Sequence, residues 1–475
     1  MIKKRITLLL MLVTAMNLLA QDVYELADVS QADFENFTLS SLEFADVDND
    51  SDVDLLIMGR NVDFINVANL YINDGEGNYS LDQGSNIEGL SSGDLSFGDI
   101  DNDNDLDLIV TGRNTSMARR TELYLNDGSG VFTVQSQVQF ESVAGSKVEL
   151  GDLNNDGLLD VVLIGFTGSE AQTNVYLNTG NATFTEVSTI FEDVFLGDIA
   201  IFDADNDTDN DVLITGSGNS NNRVSELYLN NGDGTFIESS NSLTGSISSS
   251  VAVADIDSDN DLDIIISGLS LVNGLQEPTT TLYLNNGMGE YTASTQSFIN
   301  VGRGNVVFED IDNDQDLDIF ISGVDEDDAI IYSFYLNDGL GVYTPFVDSN
   351  ILAVREGSLD FADVNGDGTQ DIAITGKSSE DIESSRLYIN QEMLGVTGVE
   401  SNALSVYPNP SNGRFTINID KPVGQIEIFD ISGKLMLRDN EVNDKFLDVN
   451  LASGIYLIKA MTIDGEQYAS KIIIE

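Results

Sequence analysis

The sequence predicts an all-β chain: a seven-bladed β-propeller closed by its N-terminal strand, followed by a small C-terminal β-sandwich. Three observations carry that expectation. An aspartate-rich run recurs seven times, a four-strand pattern keeps phase with it, and the last copy lacks a fourth strand while an orphan strand precedes the first.

The runs are "DVDNDSDVD" from Asp46, "DIDNDNDLD" from Asp99, "DLNNDGLLD" from Asp152, "DADNDTDND" from Asp203, "DIDSDNDLD" from Asp255, "DIDNDQDLD" from Asp310 and "DVNGDGTQD" from Asp363. Successive starts lie 53, 53, 51, 52, 55 and 53 residues apart, and a Gly stands 13 residues after each (Gly59, Gly112, Gly165, Gly216, Gly268, Gly323, Gly376). Further on comes a box of the "LYLN" type, as in Leu123 to Asn126, followed in six copies by a Gly-bearing turn and an aromatic, as in "NDGSGVF".

Each copy reads as four strands. "SLEFA" alternates apolar and polar residues, "DLLIMG" is the near-continuous apolar run of a strand covered on both faces, "NLYIN" is the third and "VFTVQ" the fourth. Four antiparallel strands in roughly 50 residues suit a propeller blade. Copy seven stops after its third strand at "RLYIN", whereas an orphan strand, "DVYELADVS", precedes copy one. Pairing the two closes a ring and leaves no open sheet edge. The Tyr of each "LYLN" box falls at one fixed strand position and is expected in the core.

The flanks differ in kind. Lys3, Lys4 and Arg5, an apolar run from Ile6 to Leu19 and a small Ala20 have the layout of a secretory signal peptide over 1–20. The propeller is expected over 21–390, a linker over 391–404 and the C-terminal domain over 405–475. No later run is long and apolar enough for a transmembrane helix, so the mature chain is expected to lack a transmembrane segment. Cys is absent, so stability outside the cell is expected to come from metal rather than disulfides. With 81 acidic against 20 basic residues and a formal charge of −61, the chain repels phosphate backbones; nucleic acid is excluded as a partner.

Hard divalent cations take six to eight oxygen ligands, so Ca2+ is the expected cofactor of the runs. Side chains at positions 1, 3, 5 and 9 of a run can converge on one ion, with the carbonyl of position 7. The candidate ligands are Asp46, Asp48, Asp50 and Asp54; Asp99, Asp101, Asp103 and Asp107; Asp152, Asn154, Asp156 and Asp160; Asp203, Asp205, Asp207 and Asp211; Asp255, Asp257, Asp259 and Asp263; Asp310, Asp312, Asp314 and Asp318; and Asp363, Asn365, Asp367 and Asp371. The lack of a Glu at position 12 and the strand flanks exclude an EF-hand. Copies three and seven carry Gly at position 6 (Gly157, Gly368), where the others have Ser51, Asn104, Thr208, Asn260 or Gln315. A turn needing positive φ there is strained without Gly, so those five loops are expected to depend more on the ion.

The phased runs resemble FG-GAP repeats of the VCBS type, the blades of integrin α-subunit heads and of many secreted bacterial proteins. The resemblance implies a seven-bladed propeller with one Ca2+ in each blade loop, about seven in all. The tail, with "YPNPSNG", "DISGKLM" and "SGIYLIK", resembles the type A C-terminal sorting domain of the type IX (Por) secretion system, which implies the secretion machinery as a partner and export to the cell surface or beyond.

Alternating strand directions put the aspartate loops on one face and the second-to-third strand turns on the other. The ten basic residues of the repeat region, Arg60, Arg113, Arg119, Arg120, Lys147, Arg223, Arg303, Arg355, Lys377 and Arg386, are all expected toward that second face. Arg113, Arg119 and Arg120, in the long turn "RNTSMARRTE", are the candidate ligand residues for an acidic glycan or a protein carboxylate. With no His and no Cys, the usual nucleophile and base pairs are missing, so the chain is expected to be a non-catalytic binding or adhesion protein. The alternative is a carbohydrate-active enzyme or accessory module acting on acidic polysaccharide.

Overall fold

The computed structural model describes residues 24–26, 34–346 and 350–390, and from 405 to 474 the strands with part of their connections. The signal peptide and linker expectations lie outside the described residues. The chain divides into two compact units between Gln391 and Glu392.

The first unit is built of four-stranded antiparallel units in sequence order. The first comprises Phe37–Ala45, Asp54–Asn61, Asn66–Asn73 and Tyr79–Leu81. Six further units repeat the pattern, with the first strand of the fourth split into Val194–Phe195 and Ile199–Phe202, and a single pair, Val224 with Ser246, joins the fourth to the fifth. The last unit takes its fourth strand from the N-terminal segment: Tyr24–Leu26 pairs with Glu383–Asn390, Tyr24 opposite Asn390. This is the arrangement of a β-propeller, and the units are called blades 1 to 7 below.

Second strands are apolar throughout because neighbouring blades cover both their faces. Val161, Val162, Leu163 and Ile164 are completely buried. The cores lie between consecutive blades, and one of them joins Leu55, Ile57 and Tyr71 of blade 1 to Ala373 and Leu387 of blade 7. The seven box tyrosines, from Tyr71 to Tyr388, are at most 5% exposed. Each hydroxyl that reaches a chain entering its blade accepts a backbone N–H there, as Tyr124 does from Glu88 at 3.0 Å.

Two sets of hydrogen bonds tie blade to blade. At the axis, one residue per first strand has φ of 46° to 58° (Leu39, Ser92, Gly145, Leu196, Ser248, Arg303, Glu356). The N–H of Ser92 donates to Leu39, Gly145 to Ser92, Leu196 to Gly145, Ser248 to Leu196, and Leu39 back to Glu356 of blade 7. Further out, the Asn ending each "LYLN" box donates through Nδ2 to the position-2 carbonyl of the preceding blade's aspartate loop. Asn126 reaches Val47 at 2.8 Å, and Asn73 reaches Val364 of blade 7 at 2.8 Å. The Tyr of the box packs into the cores between blades, and the Asn two residues on adds a hydrogen bond from each blade to the one before.

The repeated Gly is required by close approach. A Cβ on Gly112, at φ 135°, would stand 2.8 Å from the Ser91 carbonyl oxygen, and one on Gly59 would stand 2.7 Å from the Ser40 Cβ.

In the second unit, Ser405–Tyr407, Arg414–Asn418 and Phe446–Asp448 form one sheet and Leu435–Asp439, Val423–Asp430, Gly454–Thr462 and Gln467–Ile474 another. Phe415 and Ile417 from the first sheet share one core with Ile426, Ile428, Ile458 and Ile472 from the second.

Candidate metal centres, axial channel and the opposite face

Each aspartate loop links a first strand to a second strand, and its local geometry follows from carboxylates capping backbone N–H groups. In blade 2 the two oxygens of Asp99 accept the N–H of Asp103 and of Asn104, each at 3.0 Å, and Asp103 accepts that of Asp105 at 3.0 Å. Asp107, at position 9, is fully buried and accepts the N–H of Ile100 at 3.0 Å and of Asn126 at 2.9 Å. Burial outweighs these bonds and raises the position-9 carboxyls, Asp107 to about 6 and Asp371 to about 7.

Position 3 separates two kinds of loop. Asp48, Asp101, Asp205, Asp257 and Asp312 each bury one carboxylate oxygen that has no hydrogen-bond partner. In the same five loops, three carboxylates place ligand oxygens within 4.8 Å of one another, as Asp99, Asp101 and Asp107 do. Burial and the neighbouring carboxylates raise Asp312 to about 6. In blades 3 and 7 the residue is Asn154 or Asn365, whose side-chain oxygen already accepts the N–H of Asp156 or Asp367 at 3.0 and 2.9 Å. Among the described residues no such three-carboxylate cluster forms in those two loops. The five clusters can hold metal ions: an orphaned buried oxygen amid converging carboxylates costs free energy until a cation or proton meets it.

Position 6 is left-handed in every loop, with φ of 70° to 77° at Ser51, Asn104, Thr208, Asn260 and Gln315 against 82° and 87° at Gly157 and Gly368. The positive φ expected at this position is therefore present in all five; Asn104 and Asn260 tolerate it, whereas Ser51, Gln315 and above all β-branched Thr208 are strained by it. Position 4 carries a contact that spacing alone does not reveal. Asn49, Asn155 and Asn206 donate to the position-7 carboxylates Asp105, Asp209 and Asp261 of the next loop, at 2.8, 2.7 and 2.7 Å.

The first strands also line an axial channel. Its mouth, on the face away from the aspartate loops, is a cavity of about 360 Å³ to which all seven blades contribute, and a second cavity of about 350 Å³ lies deeper. Here the expectation for the basic residues needs correction. Eight of the ten lie at strand ends or turns of the second face, but Arg386 sits mid-strand beside Ser384, and Lys147 points into the channel. The half-buried Lys147 ammonium of blade 3 lies 3.5 Å from Asp94 of blade 2 and 3.7 Å from Asp198 of blade 4, and these carboxylates raise its pKa against the loss of water around it. Asp94 also accepts the Ser41 hydroxyl at 2.9 Å and the Val148 N–H at 3.1 Å; Asp198 accepts the Val251 N–H at 2.8 Å.

Deeper in the channel, burial drives Glu149 up to about 7 against the pull of Lys147, Asp360 to about 6, and Glu43 well above the usual range. The native state therefore keeps a proton on Glu149 that the unfolded chain releases between pH 4.5 and 7. Its stabilising contribution is complete at low pH and is lost as pH rises through 7, up to about 3 kcal/mol. Glu149→Gln, compared with the parent in millimolar calcium, is expected to raise the melting temperature at pH 8 and to flatten its fall between pH 5.5 and 8. An unchanged slope would show that Glu149 does not titrate there.

Of the three candidate ligand arginines, two are already engaged. Arg119 donates to the Phe166 carbonyl at 2.9 Å and lies over that ring, and Arg120 pairs with Glu88 at 3.3 Å and Glu122 at 3.7 Å. Arg113 is different: its Nε is buried without a partner.

Comparisons with known proteins fall on these elements. A model described as FG-GAP-like repeat matches residues 99–163, 152–214 and 203–266, and one described as secretion system C-terminal sorting domain matches 405–475. Residues 99–266 thus carry FG-GAP-like repeats within a β-propeller, and 405–475 a sorting domain, which indicates export by type IX secretion to the cell surface or extracellular space. An ulvan lyase of Nonlabens ulvanivorans is 27% identical over 119 residues, 24% of this chain and 21% of that protein, so the match spans about a fifth of that relative. Among solved structures, the extracellular domain of a hybrid two component system from B. thetaiotaomicron aligns at 11% identity and TM-score 0.44, covering 96% of this chain and 59% of that one. The six-bladed Aleuria aurantia lectin aligns at 9% identity and TM-score 0.39, covering 66% and 96%.

Proposed function

We propose that the chain is an exported, calcium-binding propeller of seven blades that acts without catalysis, holding an anionic glycan on the face opposite its aspartate loops. The observation that carries the cation reading is the set of five buried, unpartnered carboxylate oxygens at Asp48, Asp101, Asp205, Asp257 and Asp312. Oxygen-only donors in a flexible loop suit Ca2+ over transition metals, and they suit it better than Mg2+, which demands stricter geometry. Side chains of positions 1, 3, 5 and 9 are the ligands, with the position-7 carbonyl; the loops of blades 3 and 7 are the weaker sites. The glycan reading rests on cations gathered at one face of a chain of formal charge −61.

The second reading, an enzyme or accessory module acting on acidic polysaccharide, draws on the partial likeness to an ulvan lyase. Both are tested by incubating the protein in millimolar calcium with immobilised and soluble anionic polysaccharides. Retention without new ultraviolet absorbance from unsaturated ends is the expected result. Appearance of such ends makes it a lyase, and retention on none of the polysaccharides overturns the glycan reading.

A further inference from the structure

The second-to-third strand turns of five blades share one geometry. Residues 61, 114, 218, 325 and 378 each donate to the carbonyl four residues on and accept the N–H three residues on. The third residue after each start is left-handed, at φ 56° to 65°. In blades 4, 6 and 7 it is Asn221, Asp328 or Asp381, residue types that tolerate this region. In blades 1 and 2 it is Phe64 at φ 61° and Met117 at φ 65°, large apolar residues in a conformation that penalises them. Their side chains face solvent, 71% and 61% exposed, and Val62 and Ile65 beside Phe64 are 53% and 46% exposed. A conformationally costly residue that buries nothing at home is expected where a partner repays it.

The two tips are tied together. Asn66 donates its N–H to the Thr115 hydroxyl at 3.0 Å and its Nδ2 to the Arg113 carbonyl at 2.6 Å, so the blade 1 and blade 2 turns form one surface. Cations flank it. The Arg60 guanidinium lies 5.5 Å from the centre of the Phe64 ring, and the Arg113 Nε is the buried donor without an acceptor.

We infer that these tips are the contact surface for the anionic polysaccharide, with Phe64 and Met117 packing on sugar rings and Arg113 and Arg60 meeting the acid groups. The inference rests on the glycan reading above and gives it a location. An exposed aromatic ring packs on the C–H face of a pyranose, and the Arg60 guanidinium 5.5 Å from its centre is placed for an acid group on the same chain. Arg113 ends the second strand of blade 2 and is half-buried, a position that suits an acid group on a narrow chain better than a flat bilayer. Arg119 and Arg120, held by Phe166, Glu88 and Glu122, are left out of the contact.

The test uses the whole chain in calcium, with polygalacturonate and chondroitin sulfate as probes, dextran as the neutral control, and vesicles of phosphatidylcholine and phosphatidylglycerol. Phe64→Asn with Met117→Asn installs the residue that blade 4 already uses. This variant is expected to melt no lower than the parent yet bind the acidic probes at least tenfold more weakly, and Arg113→Gln is expected to weaken binding and reduce its salt dependence. Parent and variants binding the acidic probes equally overturns the location and leaves the glycan reading standing. No binding by the parent overturns both, and binding to the anionic vesicles alone replaces the glycan by a membrane surface.

Discussion

Chelation of calcium is expected to lower the melting temperature of the propeller by about 10 °C, and titration of the metal-free chain to reveal five sites of one class and two weaker ones. At free calcium tenfold above Kd, each site adds about 1.4 kcal/mol to stability, roughly 7 kcal/mol for five. Unfolding a β unit of some 350 residues gains about 0.7 kcal/mol per kelvin, which converts that sum to the stated shift. The division into five and two follows from position 3, where Asp leaves an orphaned oxygen and Asn does not. Position 6 works the same way: Ser51, Thr208 and Gln315 at φ near 76° strain the turn unless an ion holds it, whereas Gly157 and Gly368 do not. Asp101→Asn, which copies blade 3, should remove one site of the tighter class and lower stability in calcium while raising it slightly in chelator, where the orphaned oxygen no longer has to be buried. A melting temperature indifferent to chelator, with no metal uptake by calorimetry, would overturn the cation assignment.

The second large effect is expected from Lys147→Met. The change leaves Asp94 and Asp198 charged in the channel without their shared ammonium, and removing one partner from a buried ion group costs about 3–5 kcal/mol. The loss should shrink as pH falls, because burial raises the Asp198 carboxyl and its protonation removes one of the two stranded charges. Adding Asp198→Asn should recover part of it, since the two positions share one network. Calcium stoichiometry should not change, which distinguishes a broken axial staple from a general failure to fold. A cost below about 1 kcal/mol would mean that water in the channel already screens the charges.

How far the chain could be read in advance depended on the range of the interaction concerned. The "DIDNDNDLD" spacing and the period-two alternation around it are local. A carboxylate every second residue brings ligands together within one turn, and a continuous apolar run declares a strand covered on both faces. The incomplete last copy and the orphan strand before the first were visible for the same reason, and Tyr24 does stand opposite Asn390. The Asn of the "LYLN" box recurs seven times in plain view, yet its role was hidden, because its partner carbonyl belongs to the preceding blade, 79 residues away for Asn126 and Val47.

The basic residues mark the boundary between the two kinds of knowledge. Their order along the strands sends eight of ten toward one face, but it does not show that Phe166 of the next blade meets Arg119, or that Glu88, from the segment entering the blade, joins Glu122 of the same strand at Arg120. The strands and the composition of each aspartate loop are set by residues within a dozen positions of one another, and the repeat shows as the same local pattern returning every 51 to 55 residues, so all of these are legible in the sequence. Only the closed ring decided the channel, where Asp94, Lys147 and Asp198, 53 and 51 residues apart, meet at one level. Charges so distant in the chain acquire a common environment only when packing removes the water between them, and no local pattern encodes which three will share it.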